Sequence, residues 1–285
     1  RFRDSRPGGH GTVDLRKSIV VSSDTYYYKL AYEIGVDKLH DLMKPWGFGQ
    51  LTGIDLEHET AGILPSSAWK MRRYKKRWLP GETPSIGIGQ GYNAFTILQL
   101  AHATATLANG GVVMRPHVVR TVEDPTTRER RQTVTAESSR IPVRPEHLEL
   151  VRSAMIEVNR SGTGRHVFGK APYAVAGKTG TSQVIGIKQG ERYDAKRIDE
   201  RHRDHSLFVA FAPAEAPRIA VAAIVENGGF GAQAAAPLVR AVLDYYLLGK
   251  LPDDFPGDAL PPLPDEAEMR DIPESLEPET VNPPE

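Results

Sequence analysis

A short string in the second half of the chain carries residue types that can bind an anion. It reads Gly-Lys-Thr-Gly-Thr over residues 177–181, within a strand-like stretch. The ammonium of Lys178 and the hydroxyls of Thr179 and Thr181 can hold a carboxylate, and glycine lets a ligand approach backbone N–H groups that can hold an oxyanion. Alternation places Lys178 and Gly180 on one face of a strand and the two threonines on the other, unless the strand twists or bulges. An ordinary strand that bends at Gly180 would explain the string equally well.

A second string with possible chemistry is Ser22-Ser23-Asp24, which combines hydroxyls with a carboxylate. Apolar residues recur at helical spacing over residues 13–34, so we expect the string to lie inside a helix. Ser-x-Asp strings are common, and a serine within a helix is usually only tolerated. The string therefore predicts no function when it is considered alone.

The apolar spacing and the turn residues predict helices first, then strands, then a last helix. Helices are expected at residues 13–34, 36–43, 67–73, 94–109, 145–159 and 234–248, and strands at 112–122, 173–187, 206–212 and 218–225. One of the two strings is thus placed on a helix and the other on a strand. This order of elements favours an α+β fold with an antiparallel sheet.

Composition limits the possible classes of protein. The chain has 285 residues with 36 of each charge sign and no cysteine, which excludes a disulfide scaffold and a thiol nucleophile. No apolar run approaches the length of a membrane span. Residues 251–285 hold eleven acidic residues, nine prolines and one basic residue, which leaves 35 basic and 25 acidic residues before them. We therefore expect a positively charged folded part at residues 1–249 and a disordered acidic tail at residues 250–285.

Two further patterns suggest other functions but fit them poorly. Gly87-x-Gly89-x-Gly91 lacks the third glycine of a dinucleotide-binding fingerprint, because residue 92 is tyrosine. Six basic residues alternate with aromatic ones in residues 70–78, which can indicate nucleic-acid binding. A solvated loop is the more ordinary explanation for that run, and a groove for an anionic substrate is another. We expect no cofactor and no nucleic-acid partner.

Taken together, the two strings resemble the elements of a known family. The penicillin-recognising serine enzymes carry Ser-x-x-Lys, then Ser-x-Asn or Ser-x-Asp, then Lys-Thr/Ser-Gly, and this chain has the second and third in that order. Over about residues 1–249 it resembles one branch, the class B peptidoglycan transpeptidases of cell elongation known as penicillin-binding protein 2. The resemblance lies in these strings: Gly8-Gly9-His10-Gly11, Ser22-Ser23-Asp24-Thr25, Gly47-Phe48-Gly49, Thr52-Gly53-Ile54-Asp55-Leu56, Gly87-Ile88-Gly89-Gln90-Gly91 and Val225-Glu226-Asn227-Gly228-Gly229.

The resemblance implies a partial penicilloyl-serine transferase fold, an antiparallel sheet with helices and a helical subdomain. It also implies catalytic roles for three residues. The Ser22 hydroxyl would relay protons and bond the active-site lysine of the Ser-x-x-Lys element, Asp24 would orient that lysine and the substrate backbone, and Lys178 would supply positive charge for the substrate carboxylate.

The same resemblance implies substrate-binding roles on the predicted strand. The hydroxyls of Thr179 and Thr181 would bind the terminal carboxylate of a D-Ala-D-Ala stem peptide, and the backbone N–H of Thr181 would form half of an oxyanion hole. Gly180 would leave room for the substrate beside the backbone. β-Lactams would react at the same site, because their strained amide resembles the D-Ala-D-Ala end.

The family's nucleophile is the feature that this sequence does not match. Its one Ser-x-x-Lys string is Ser67-Ala68-Trp69-Lys70, which follows Ser22 where the family places the element before it. Such a string is expected about once by chance in a chain of this length. We therefore expect Ser67 not to be catalytic, the true serine to lie upstream of Arg1, and the chain alone to be inactive.

Some members of the family bind a structural zinc ion. Their ligands include an Asp and a His spaced as Asp4 and His10 are, and a Cys at the position of Ser23. A neutral hydroxyl is a poor zinc ligand beside thiolate, imidazole and carboxylate. We therefore expect no metal here.

The resemblance further implies a place and partners for the whole protein. It would act at the periplasmic face of the bacterial inner membrane, held by an upstream anchor, together with a membrane glycan polymerase of the elongation complex. Two alternatives stay open, namely a β-lactamase or D,D-carboxypeptidase of the same superfamily, and a non-enzymatic scaffold for a glycan polymerase.

Overall fold

The computed structural model describes residues 4, 6, 8–185 and 198–251. Contacts within the chain divide it into residues 1–240 and residues 241–285, and the described part of the second unit is residues 241–251. Most of the predicted acidic tail lies outside the described residues. The boundary at residue 249 and the disorder of residues 250–285 therefore stay predictions.

The described residues form helices, three pairs or groups of antiparallel strands, and the loops that join them. The helices are α1 (Leu15–Val20), α2 (Asp24–Ile34), α3 (Val36–Met43), α4 (Ser67–Tyr74), α5 (Thr83–Gly87), α6 (Ile97–Ala108), α7 (Pro145–Arg160), α8 (Arg165–Phe168) and α9 (Ala235–Leu248). The strands are β1 (Val112–Met114), β2 (Thr121–Glu123), β3 (Arg130–Gln132), β4 (Glu137–Arg140), β5 (Ala176–Ser182), β6 (His205–Ala212) and β7 (Ile219–Val225).

The main sheet has three antiparallel strands in the order β5-β6-β7, and two short hairpin-like pairs, β1-β4 and β2-β3, lie apart from it in the described chain. In the main sheet Lys178 lies opposite Val209 and Gly180 opposite Leu207. This arrangement confirms the α+β prediction, and it places the Gly-Lys-Thr-Gly-Thr string on a strand, with β6 as its neighbour along one edge.

The core that supports β5 comes from helix α7. Helix α7 packs on β5 and on α1, while α6 packs on β6 and β7. The helices predicted at residues 94–109 and 145–159 therefore both pack on the sheet. The buried cluster between them consists of Ile19, Ala154, Met155, Val158, Ala176, Phe211 and Ala214. Burying these apolar side chains stabilises the fold. Because the cluster contains Ile19 of α1 and Ala176 of β5, it also holds these two elements together.

The single helix predicted over residues 13–34 is wrong. Helix α1 ends at Val20, and α2 begins at Asp24 after a turn in which Ser22 has a φ of 56°. That left-handed conformation is uncommon for a residue with a Cβ atom. The turn is stabilised from outside the helix, because the buried Ser23 hydroxyl donates to the Asp4 carboxylate at 2.9 Å. The helical pattern of apolar residues continues through the break, so periodicity alone could not reveal it.

Gly177 allows close packing at the start of the Gly-Lys-Thr-Gly-Thr string. A Cβ atom there would lie 2.9 Å from ring carbons of Phe208 and 2.9 Å from Nδ2 of Asn159. Phe208 is fully buried, and the Asn159 amide donates to the Val175 carbonyl at 2.9 Å, so neither side chain can move away freely.

We predict that Gly177→Ala lowers the free energy of unfolding by about 1–3 kcal/mol through overpacking. Gly81→Ala is the matched control, because a Cβ atom at Gly81 meets nothing within 4 Å. Chemical denaturation of the complete protein, followed by circular dichroism, measures both changes. Equal midpoints for the two variants would contradict the packing explanation.

Candidate active site

The two strings found in the sequence lie at one site. The Lys178 ammonium on β5 donates to the Ser22 hydroxyl at 2.8 Å and to the Thr179 carbonyl at 2.9 Å. The two residues are 156 positions apart, so the fold creates this contact. Asp24, the first residue of α2, lies close enough for its carboxylate to attract the same ammonium.

Burial controls the charge of Lys178. Burial disfavours the ammonium and lowers the pKa of Lys178 to about 8, although the Asp24 carboxylate acts in the opposite direction. The side chain is therefore mainly protonated at pH 7 and close to half neutral at pH 8. A lysine in this state can hold a carboxylate and can exchange a proton with the adjacent Ser22 hydroxyl.

The open edge of β5 presents backbone groups that can bind a ligand. In an antiparallel strand, the N–H and C=O of one residue point to the same edge. The Thr181 carbonyl accepts a hydrogen bond from the Gln90 side chain at 2.7 Å, on the side away from β6. The Thr181 N–H therefore also points to this edge, which is the direction that an oxyanion-hole donor requires.

The Thr179 hydroxyl has a partner on a neighbouring loop. Thr179 Oγ1 lies 2.9 Å from Thr163 Oγ1, between α7 and α8, so it already has a side-chain partner. Thr163 could not be identified from the sequence, because no pattern links a threonine in this loop to β5. Its hydroxyl can fix the orientation of the Thr179 hydroxyl for an anion.

Asp4 connects the beginning of the described chain to the Ser22 turn. One carboxylate oxygen, Oδ2, accepts from the Ser23 hydroxyl at 2.9 Å, the Thr25 hydroxyl at 3.1 Å and the Thr25 N–H at 3.4 Å. The other oxygen lies 3.1 Å from Nε2 of His10. Burial of Asp4 would raise its pKa, but these hydrogen bonds and His10 outweigh burial and hold the pKa of Asp4 below its ordinary value.

The residues around Asp4 do not fit a zinc ion. Ser23 supplies a hydroxyl where a thiolate would be needed, and it donates its proton to Asp4. Within the described ranges no group of three or more His, Asp and Glu residues has a metal-binding arrangement. The prediction that no zinc binds here stays a prediction, and we use no metal in the chemistry of the site.

The Ser67 string makes different contacts. The Ser67 hydroxyl donates to Asp37 at 2.7 Å, and the buried Lys70 ammonium forms an ion pair with Glu82. Lys70 is therefore engaged by the Glu82 carboxylate, while Ser67 is engaged by Asp37. These contacts support a structural role for Ser67 at the N-terminus of α4.

Comparison with known proteins assigns the chain to a family. Residues 2–244 match the model of the penicillin-binding protein transpeptidase domain. The chain is 43% identical over 254 residues to the peptidoglycan D,D-transpeptidase MrdA of Haemophilus influenzae, covering 88% of this chain and 39% of that protein. It is 41% identical over 263 residues to the peptidoglycan D,D-transpeptidase MrdA of Escherichia coli K12, covering 90% of this chain and 41% of that protein. It therefore spans about two fifths of the length of these relatives.

Solved structures with similar folds belong to the same group. The crystal structure of Pseudomonas aeruginosa PBP2 in complex with WCK 5153 aligns with a TM-score of 0.74 at 39% identity, covering 90% of this chain and 54% of that one. Helicobacter pylori PBP2, solved in complex with MreC, aligns with a TM-score of 0.71 at 32% identity, covering 87% of this chain and 43% of that one. No described helix is both long and apolar enough to cross a membrane. The chain belongs to the penicillin-binding protein transpeptidase domain family.

Proposed function

We propose that this chain is part of a peptidoglycan D,D-transpeptidase that cross-links stem peptides during cell elongation. The observation that carries the proposal is the contact between Lys178 and Ser22 at 2.8 Å beside Asp24, at the open edge of β5. This arrangement provides a cation, a proton-relaying hydroxyl and an edge N–H within one site. The names of the relatives with more than 40% identity support the same activity.

The reaction that fits this arrangement proceeds in two acyl-transfer steps. A serine oxygen attacks the carbonyl carbon of the penultimate D-Ala, the peptide bond to the last D-Ala breaks, and that D-Ala leaves as the free amine after it takes up a proton. The amine of a second stem peptide then attacks the acyl-serine ester, releases the serine oxygen and forms the cross-link. The attacking serine would come from a Ser-x-x-Lys element outside residues 1–285, because Ser67 is bound to Asp37.

Residues of this chain would hold the substrate and move protons. Lys178 and the hydroxyls of Thr179 and Thr181 would bind the terminal carboxylate, with Gly180 leaving space beside the strand. The Thr181 N–H would donate to the oxyanion of the tetrahedral intermediate. These roles are extensions of the family resemblance to this geometry.

Two neighbouring residues would serve the proton transfers. Ser22 would carry protons between the lysine of the missing element and the reacting groups, since its hydroxyl can both donate and accept. Asp24 would orient that lysine by charge and hydrogen bonding. The serine and the substrate carbonyl would meet beside Lys178, at the edge of β5 that faces away from β6.

The location and partners of the whole protein are part of this proposal. We place it at the periplasmic face of the inner membrane, where its substrates would be stem peptides and its inhibitors β-lactams. A glycan polymerase in the membrane is the expected partner. A related structure at 30% identity, described as a synthase complex that coordinates polymerization and crosslinking, supports such a pairing.

We predict that Lys178→Ala in the complete protein lowers the rate of acylation by fluorescent penicillin by at least ~100-fold, because both the cation and the partner of Ser22 are lost. Lys170→Ala, at an exposed position, is the control and should acylate normally. Gel fluorescence over time measures both variants. Unchanged acylation by Lys178→Ala would contradict the role assigned to Lys178. Absence of acylation in the unaltered protein would favour the scaffold alternative, and rapid release of hydrolysed penicillin by it would favour a β-lactamase.

A pH dependence follows from the state of Lys178. The protonated form binds the carboxylate of penicillin, so acylation per unit of penicillin concentration should fall as pH rises above about 8, the pKa of Lys178. In Lys178→Arg the cation persists above this pH, and the decline should move to higher pH even if the overall rate is lower. Acylation rates between pH 6 and 10 test this. Identical profiles for the two proteins would contradict the assigned role.

Residues 1–285 alone are predicted to form no covalent adduct with labelled penicillin, because the hydroxyl of Ser67 is bound to Asp37 and its Ser-x-x-Lys partner, Lys70, is paired with Glu82. Mass spectrometry of the isolated chain after incubation measures this directly. A stable adduct on Ser67 or Ser22 would contradict the proposal that the nucleophile lies elsewhere.

A further inference from the structure

The side chain of Gln90 binds the end of strand β5 at two points. Its Nε2 donates to the Thr181 carbonyl at 2.7 Å, and its Oε1 accepts from the Gln183 N–H at 3.3 Å. Thr181 and Gln183 are alternate residues on the open edge of the strand. A neighbouring strand would satisfy these groups with one N–H and one C=O, and the amide of Gln90 supplies the same pair.

The turn that carries Gln90 is well fixed. It follows α5, and the glycines on either side have φ values of 78° at Gly89 and 69° at Gly91, where glycine avoids the strain of a Cβ atom. The Gln90 N–H donates to the Ser85 carbonyl at 2.9 Å. The side chain is therefore presented from a rigid turn, and it loses less conformational entropy on binding β5 than it would on a free loop.

The same helix supports Gln90 and Asp24. Helix α5 packs against α2, whose first residue is Asp24. The contact is close at Gly87, where a Cβ atom would lie 2.8 Å from the Tyr27 carbonyl and would overlap Ala31. Tyr27 and Ala31 both belong to α2. Because Gly87 has no side chain, its backbone lies directly against the Tyr27 carbonyl and the Ala31 methyl group, and this contact links the positions of Asp24 and of the Gln90 turn.

The face of β5 at the same level is also covered. A Cβ atom at Gly231 would lie 2.5 Å from the Gly180 carbonyl oxygen and 2.9 Å from the Gly180 nitrogen. The backbone at Gly231 therefore lies directly on Gly180. The end of β5, together with Gln183 that follows it, is thus held by β6 on one edge, by Gly231 on one face, and by Gln90 on the other edge.

We propose that Gln90 is a positioning residue that holds the end of β5 so that the Thr181 N–H keeps its aim at the oxyanion. Gly180 precedes Thr181 and leaves the backbone there easy to rotate. The two hydrogen bonds of Gln90 restrain the peptide groups between Thr181 and Gln183 and so limit that rotation. This inference rests on the proposed acyl-transfer function, and it adds a residue that acts through Thr181 without touching the substrate.

Loss of the restraint should affect the chemical step more than the first binding step. Binding of penicillin depends mainly on the cation and hydroxyls, which Gln90 does not contact, whereas the oxyanion forms only during acylation. A misplacement of about 1 Å can cost ~100-fold in rate. We expect the acylation rate constant to fall roughly 10–100-fold, with the dissociation constant of the initial complex changed less than about threefold.

The experiment compares Gln90→Ala and Gln90→Glu in the complete protein, with penicillin acylation measured over a range of penicillin concentrations to separate the two constants. Gln90→Glu is close in shape to the original but has no N–H to donate to Thr181, so it tests the hydrogen bond apart from packing. Gln132→Ala, at an exposed position on β3, is the control and should match the unaltered protein. Hydrogen–deuterium exchange of the Gln183 amide should become faster in Gln90→Ala.

Each outcome decides the proposal. Slow acylation by both variants with nearly unchanged initial binding supports positioning through the hydrogen bond. Normal acylation by Gln90→Glu would overturn it, because shape alone would then suffice, and loss of folding in both variants would overturn it by making Gln90 a residue of global stability. Absence of acylation in the unaltered protein would overturn the proposed function itself, and this inference with it.

Discussion

The hydrogen bond between Lys178 and Ser22 is the contact on which the site depends. It joins a strand to a turn 156 residues earlier in the chain, at 2.8 Å. Placing an ammonium in a largely desolvated position disfavours its charge, and the attraction of Asp24 recovers only part of this, so the pKa of Lys178 falls to about 8. The site therefore contains a cation that can give up its proton near physiological pH. Such a group suits a reaction that needs both anion binding and proton transfer.

Much of the surrounding structure keeps the two ends of this hydrogen bond in place. On one side, Ser22 adopts a left-handed backbone conformation in a turn that Asp4 stabilises through Ser23 and Thr25. A carboxylate whose side chain is 1% exposed and bound to several donors is a strong local anchor. The anchor acts beside the Ser22 hydroxyl, so the strain at Ser22 is balanced by contacts made at its neighbours.

On the other side, packing fixes β5. Helix α7 supports it through an apolar core, and Gly177 and Gly231 let buried groups and backbone approach it more closely than any side chain would allow. Among the described strands, none pairs with the edge of β5 that faces away from β6, and Gln90 binds that edge at Thr181. Edge strands with free N–H and C=O groups bind peptides in many recognition domains.

The amino-acid sequence was enough to predict the chemical groups of the site, the fold class and most of the helices and strands. Apolar spacing correctly predicted helices at residues 36–43 and 145–159 and a strand at residues 206–212. Such patterns depend only on neighbours a few positions away in the sequence. The family resemblance, carried by local strings, was also confirmed.

The way in which the groups of the site meet depends on the tertiary structure. Three features depend on residues that are not neighbours in the sequence. The turn at Ser22 depends on Asp4, which binds Thr25, and the Thr179 hydroxyl has its partner in another loop. The end of β5 is bound by Gln90, which lies 91 positions before Thr181. Local periodicity contains no information about such partners, since their closeness results from the packing of α2, α5, α7 and the sheet together. The residues of the site could be named from the sequence, but their distances, charge states and orientations arise from that packing.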